Sequence, residues 1–235
     1  MNQFIQSWKF SLKNWKFFLI LGLPVISIDI IYGYLVLPVE GMTQFEDIAL
    51  YIDRNIGIFF LVIVIWFIVQ ISFLGGVWIA YMSIDAGKKV NPINTLQIGL
   101  TKFFPLLGAC LTLFIPLILI FALVPANGTL LILLALAIFS LYLYARVGLF
   151  AANIMLDNNK VFESIGSSWR KTDEHGSKLF IFVLIFISLN AILGYIIISV
   201  IPNEITQVIL LSIVGYIFMI PMYYIFYTLH KSHKS

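Results

Sequence analysis

Residues 57–82 read Gly-Ile-Phe-Phe-Leu-Val-Ile-Val-Ile-Trp-Phe-Ile-Val-Gln-Ile-Ser-Phe-Leu-Gly-Gly-Val-Trp-Ile-Ala-Tyr-Met, twenty-six positions without one Asp, Glu, Lys or Arg. A bilayer core of about 30 Å is crossed by about 20 helical residues, so this stretch is long enough to span it. In lipid a helix is the form in which such a run satisfies its own backbone hydrogen bonds. Five further runs of the same kind lie near 17–37, 103–124, 128–152, 178–201 and 205–228. They predict an all-α integral membrane protein with six transmembrane helices in a single membrane domain, 1–235. Composition agrees: 61% of residues are hydrophobic and 11% charged, against about 25% charged in soluble domains.

Orientation follows from the cations. Thirteen of the fourteen Lys and Arg residues fall in one alternating set of segments, and the other set holds only Arg54. Lys and Arg are retained on the cytoplasmic side, which puts both termini there. The longest outer loop, 38–56, carries Glu40, Glu46, Asp47 and Asp53. The Lys9, Lys13 and Lys16 that precede the first span resemble a signal-peptide n-region, but the run is too long for an h-region and is expected to remain as a span. Trp15, Trp78, Tyr81, Tyr223, Tyr224 and Tyr227 collect near the inner ends and are expected to form an aromatic belt. The net charge of +3 is spread over several segments and gives no nucleic-acid stripe.

The inner segments have helical periodicity of their own. Asn91 suits an N-cap and Pro92 a first helical position. Ile93, Leu96 and Leu100 then share a face, as do Phe162, Ile165 and Trp169, and Ile5, Trp8 and Leu12. Each helix leads into a span that ends at a hydrophobic-Pro pair: Leu37-Pro38, Val124-Pro125 and Ile201-Pro202. This predicts a threefold parallel repeat of amphipathic helix, span, turn and span over roughly 3–82, 91–152 and 160–229. The three cytoplasmic-side helices would lie among headgroups or pack beneath the bundle. Lys88, Lys89, Lys102, Arg170 and Lys171 are candidate contacts to anionic lipid headgroups, with a structural collar as the alternative.

Asp29 is the one acidic residue deep in a span, where an ionised carboxylate is costly. Asp29, Gln70, Ser140 and Asn190 each lie twelve residues from the inner end of their span. At 1.5 Å per residue that is about 18 Å of depth, so a shared mid-membrane polar layer is expected. It would hydrogen-bond Asp29 or keep it neutral, and would serve as a proton or substrate site or as interhelical glue. Arg146, six residues from an inner end, is expected to snorkel. Pro24, Pro116 and Pro221 are expected to kink their spans. Gly75-Gly76, and Gly148 with Ala151 and Ala152, allow close helix contact within or between chains.

Catalytic sets are not apparent. Zinc, nucleophile-elbow and phosphate-loop motifs are absent from the sequence. Cys110 stands alone in an apolar run and reads as a structural thiol. His230 and His233 read as part of a basic tail, and Asp173, Glu174 and His175 as a solvated loop. No enzyme activity, metal or cofactor is expected.

Asp85-Ala86-Gly87-Lys88-Lys89-Val90 before an amphipathic helix, and Phe162-Glu163-Ser164-Ile165-Gly166-Ser167-Ser168-Trp169-Arg170-Lys171-Thr172 after Arg146, resemble the YciC-like family of small bacterial inner-membrane proteins. The second stretch is also similar to the membrane domain of some glycerophosphodiester phosphodiesterases. The resemblance spans nearly the whole chain. It implies six spans in a Gram-negative inner membrane and carries over no activity and no catalytic residue. The first functional expectation is a non-enzymatic protein of envelope or lipid homeostasis with membrane lipids as partners. The alternative is a small transporter or channel using the layer around Asp29. Reporters fused to the two ends are expected to show both on the cytoplasmic side; ends on opposite sides would overturn this reading.

Overall fold

The computed structural model describes residues 2–123 and 130–233. Eleven helices run through them: α1 (Asn2–Lys13), α2 (Trp15–Glu40), α3 (Phe45–Arg54), α4 (Ile56–Asp85), α5 (Pro92–Leu100), α6 (Phe103–Leu123), α7 (Leu130–Val147), α8 (Phe150–Leu156), α9 (Val161–Lys171), α10 (Gly176–Val200) and α11 (Glu204–Ser232). There is no strand among the described residues. Five helical stretches are long and apolar enough to cross a membrane: Trp15–Val39, Ile56–Asp85, Ile132–Leu156, Gly176–Val200 and Glu204–Ser232. A sixth is counted if Pro92–Leu100 and Phe103–Ile118, bent by 69°, form one broken span.

Two boundaries differ from the sequence reading. α2 continues through Pro38 to Glu40 instead of stopping at Leu37, because a proline in the last turn forfeits only one hydrogen bond. Part of the 38–56 loop is α3, with Glu46 and Asp47 in its first turn and Arg54 in its last, the polarity that a helix dipole favours. The turn expected at 125–127 lies outside the described residues, as does Lys234.

The long helices make a ring in the order α2, α4, α6, α7, α10, α11 and back to α2. Its two ends are packed differently. Buried side chains concentrate toward the end that carries α1, α5 and α9, here the basic end: Phe18 to Ile28 on α2, Ile71 to Tyr81 on α4, Ala145 to Ile154 across α7 and α8, Leu179 to Phe186 on α10 and Tyr216 to His230 on α11. Beyond Phe186, α10 has no fully buried residue, and the first twelve residues of α11 have none either. The ring is densely packed at the basic end and more loosely packed at the other.

Aromatic residues fill the basic end. Tyr81 and Trp78 are fully buried, and Tyr227 is nearly so. Tyr81 packs on Phe10, Phe18, Tyr224 and Tyr227 with ring centroids 5.5–5.8 Å apart. Its hydroxyl donates to Ile220 O at 2.6 Å, and the Tyr216 hydroxyl donates to Phe18 O. The expected aromatic belt is therefore largely an internal seal; only Trp15 of that set is exposed. A tyrosine can occupy this interior because its hydroxyl finds a helix carbonyl.

Arg146 departs most from expectation. It does not snorkel: it is 4% exposed. Nη1 donates to Thr172 O at 3.0 Å and Asp173 O at 3.2 Å, and Nη2 donates to Trp169 O at 3.1 Å and the Asp173 carboxylate at 2.8 Å. The Trp169 ring lies 4.5 Å from the guanidinium carbon. The cation thus binds carbonyls at and just beyond the C-terminus of α9, where the helix dipole favours positive charge. In return, Ser168 and Thr172 donate their hydroxyls to Arg146 O at 3.0 and 2.8 Å, and Ser168 Oγ accepts from Leu149 N at 3.0 Å. Those three bonds tie α9 to the seam between α7 and α8. Snorkelling fails as a reading because these acceptors lie closer than water.

Helix α5 meets α4 through glycines within one chain. A Cβ on Gly99 would lie 2.1 Å from Ser72 O, and one on Gly75 would lie 2.9 Å from the Gly99 Cα. Gly148 likewise lies under the Phe226 ring. Backbone oxygen cannot yield as a side chain does, so Gly99→Leu should cost about 3 kcal/mol or more. Arg146→Ala should cost about 2–3 kcal/mol by removing the guanidinium's hydrogen bonds to the carbonyls around the end of α9 and its contact with the Trp169 ring, with Arg146→Lys between it and wild type. Thermal unfolding in detergent checks both; unchanged midpoints would contradict the packing described.

Candidate functional site

Two sets of sequence candidates meet different outcomes. The basic set is not one site. Lys88 and Lys89 follow Gly87, whose φ of +68° turns the chain out of α4, and both are exposed. Arg170 is exposed on α9. Lys102, by contrast, donates to Asn158 Oδ1. Lys171 is engaged by Asn153 Oδ1 and Asp157 Oδ2, both at 2.8 Å, and so serves to hold α9 on α8 rather than being offered to a headgroup. His230 is not a solvated tail residue either: it is 1% exposed, with Nε2 3.4 Å from Asp157 Oδ1. Asp173 is exposed, as expected of a solvated loop, and also places one carboxylate oxygen on Arg146.

The mid-membrane set does converge. α2 brings Asp29 against α4, where Trp66 Nε1 donates to Asp29 Oδ1 at 2.7 Å and Gln70 Nε2 donates to the same oxygen at 3.0 Å. Positions 66 and 70 are one helical turn apart, so both donors share a face of α4. The other carboxyl oxygen, Oδ2, accepts no hydrogen bond from a described residue and is not buried. It faces a groove of about 520 Å³ bounded by α2, α4, α10 and α11. Asn190 and Ser212 line the groove as well. Ser212 Oγ donates back to Val208 O at 2.9 Å, while Asn190 hydrogen-bonds to no described residue.

Ser140 is separate. It lines a second cavity of about 340 Å³ between α6, α7, α10 and α11, and its hydroxyl donates to Leu136 O at 2.8 Å. Ile187 and Met222 border both cavities, so the two adjoin inside the ring. Three of the four expected polar residues therefore gather at one place, and the fourth lies across a shared wall.

Trp66 was missed by the sequence reading. A tryptophan N–H needs a partner in hydrocarbon, and its place one turn before Gln70 was the available signal. Asp29 is the one charged side chain lining the groove among the described residues. The described residues hold no group of three or more His, Cys, Asp or Glu fit for a metal ion. No family model, curated protein or solved structure matches the chain.

The geometry gives a carboxyl group held by one oxygen and presented by the other to an open space, which suits it to accept a proton or a donor-bearing ligand. In a Cys110→Ser background, Asn190→Cys and Ser212→Cys should react with a water-soluble maleimide, and Leu21→Cys, from the sealed interior, should not. Equal protection of all three would contradict an open groove.

Proposed function

We propose that this chain is a non-enzymatic carrier that takes a small substrate, or a proton, into the groove around Asp29 and passes it across the bilayer. One observation supports the reading above the others: an open groove reaches an acidic residue at mid-membrane depth and leaves one carboxyl oxygen unengaged. Interhelical glue alone needs neither the open space nor the free oxygen, since a purely structural Asp29 would be enclosed by its donors. The seal at one end and the opening at the other correspond to one of the two access states that such a carrier alternates between. Pro24 and Pro221 sit in α2 and α11, two of the four helices around the groove, where lost backbone hydrogen bonds ease bending.

The basic-end helices supply the frame. In this reading α1, α5 and α9 head three copies of one unit, and a repeated pattern of burial supports it. Each turns small or hydroxyl residues inward: Ser7 on α1, Thr95 and Gly99 on α5, Ser164 and Ser168 on α9. Each also leaves apolar side chains uncovered: Ile5 and Leu12, Ile93 and Leu100, Phe162 and Trp169. Phe162 is 78% exposed, which suits a helix lying in the membrane interface. Lys88, Lys89 and Arg170 remain as headgroup contacts there, on the cytoplasmic face of a bacterial inner membrane. The likeness to YciC-like proteins is compatible with this arrangement and adds no activity.

Reconstituted into liposomes under a pH gradient, the wild-type chain should carry protons or exchange them for substrate at a rate above empty vesicles. Asp29→Asn, folded and inserted, should abolish that component. Proton movement that is equal in Asp29→Asn, or absent from both, would refute the carrier reading.

A further inference from the structure

The walls of the groove narrow what it accepts. Among the described residues its one charged group is the Asp29 carboxyl, and no Lys, Arg or His lines it. A cation entering would meet one negative partner and no opposing charge, whereas an anion would meet the carboxylate with nothing to offset it. The rest of the lining is aromatic and soft. Tyr32 and Trp66 lie on the α2–α4 side, with their ring centroids 6.3 Å apart, and Phe218 lies on the α11 side, while Phe186 and Tyr216 border the groove from the buried core. Aromatic faces attract cations, most strongly where water is sparse. Met219 and Met222 add flexible thioethers that adapt to ligand shape.

A metal ion is a poor match. A hard divalent cation requires six or more oxygen ligands, and a single carboxylate with one amide and the hydroxyls of Tyr32, Ser212 and Tyr216, the last already bound to Phe18 O, falls short. A bulky organic cation needs no such shell. Its charge is spread over apolar substituents, so the mostly apolar wall compensates for lost hydration. The volume of about 520 Å³ lies within the range of about 300–1,000 Å³ usual for small-molecule sites.

We propose that the Asp29 groove is a binding site for lipophilic organic cations of the quaternary ammonium, phosphonium or protonated tertiary amine class. The inference rests on the groove being a substrate site, as proposed above, and names what the substrate is. The groups that face Asp29 are Tyr32 from its own helix, Trp66 and Gln70 from α4, Asn190 from α10, and Ser212 and Tyr216 from α11. None is a competing cation or second acid. When the carboxyl is protonated, a permanent organic cation displaces that proton: the O–H bond breaks, the proton goes to water, and the carboxylate keeps the electron pair and pairs with the cation. Binding therefore tightens as pH rises.

The test is equilibrium binding of tetraphenylphosphonium to the full chain in lipid nanodiscs, with empty nanodiscs subtracted, and with tetraphenylborate as an anion of matching shape. Expected are saturable phosphonium binding, tighter at higher pH, and no saturable borate binding. Asp29→Asn should weaken phosphonium binding by about tenfold or more, and Asp29→Glu should retain part of it. Asn190→Lys, which puts an opposing charge into the wall, should abolish it without touching the carboxyl, and so serves if Asp29→Asn fails to fold. Equal binding of both ions, or phosphonium binding indifferent to Asp29→Asn and Asn190→Lys, would overturn the proposal. If Asp29-dependent proton movement stands while phosphonium does not bind, the ligand class is wrong and the carrier reading survives; if both fail, the groove is not a substrate site.

Discussion

Tyrosine hydroxyls donating to helix carbonyls hold the basic end of this protein shut. Tyr81 reaches from α4 to Ile220 O on α11, and Tyr216 reaches from α11 to Phe18 O on α2. Each bond ties two long helices together at a depth where water is not available to compete. The rings that carry these hydroxyls fill the space between the helices, with Phe10 stacked on Tyr224 at 3.9 Å to complete the layer. The groove at Asp29 lies beyond this layer, between α2, α4, α10 and α11.

The two ionisable groups deepest in the helical ring illustrate two solutions to the same constraint. An isolated charge in hydrocarbon is costly. Arg146 is surrounded: three carbonyls, one carboxylate and an indole face meet it, and α9 is fastened to the seam between α7 and α8 as a result. Asp29 is only half satisfied, with two donors on one oxygen and open space at the other. Arg146, held at both terminal nitrogens, fastens structure, whereas the open carboxyl oxygen of Asp29 leaves chemical capacity. The same distinction separates Lys171, held by Asn153 and Asp157, from Lys88, Lys89 and Arg170, which remain exposed.

Much of the fold was legible because lipid imposes simple rules. Apolar length located the long helices, and counting residues from their ends put Asp29, Gln70 and Asn190 at one depth, which the structure joins at one groove. The Asn91 cap was also legible: its side chain accepts from Ile93 N at 2.9 Å. What failed were readings that depend on what lies opposite a residue. Hydropathy places Tyr81 and Trp78 near an interface but does not say whether they face lipid or one another. Arg146 reads as a snorkelling cation until the turn after α9 is found to supply acceptors. Trp66 is one apolar residue among many in α4 until Asp29 stands beside it. Whether the ring closes over Asp29 or opens onto it was beyond any periodicity, since it is decided by contacts between helices distant in sequence.

The central claim is that one end of the ring is sealed while the other opens down to Asp29. A cryo-electron microscopy map of the full chain in lipid nanodiscs, resolved to side chains, addresses it directly. The account predicts Tyr81 and Tyr216 on their carbonyl partners at the basic end and a solvent-filled space reaching the Asp29 carboxyl from the opposite end. Far halves packed against one another, with Asp29 enclosed by protein on every side, would contradict it.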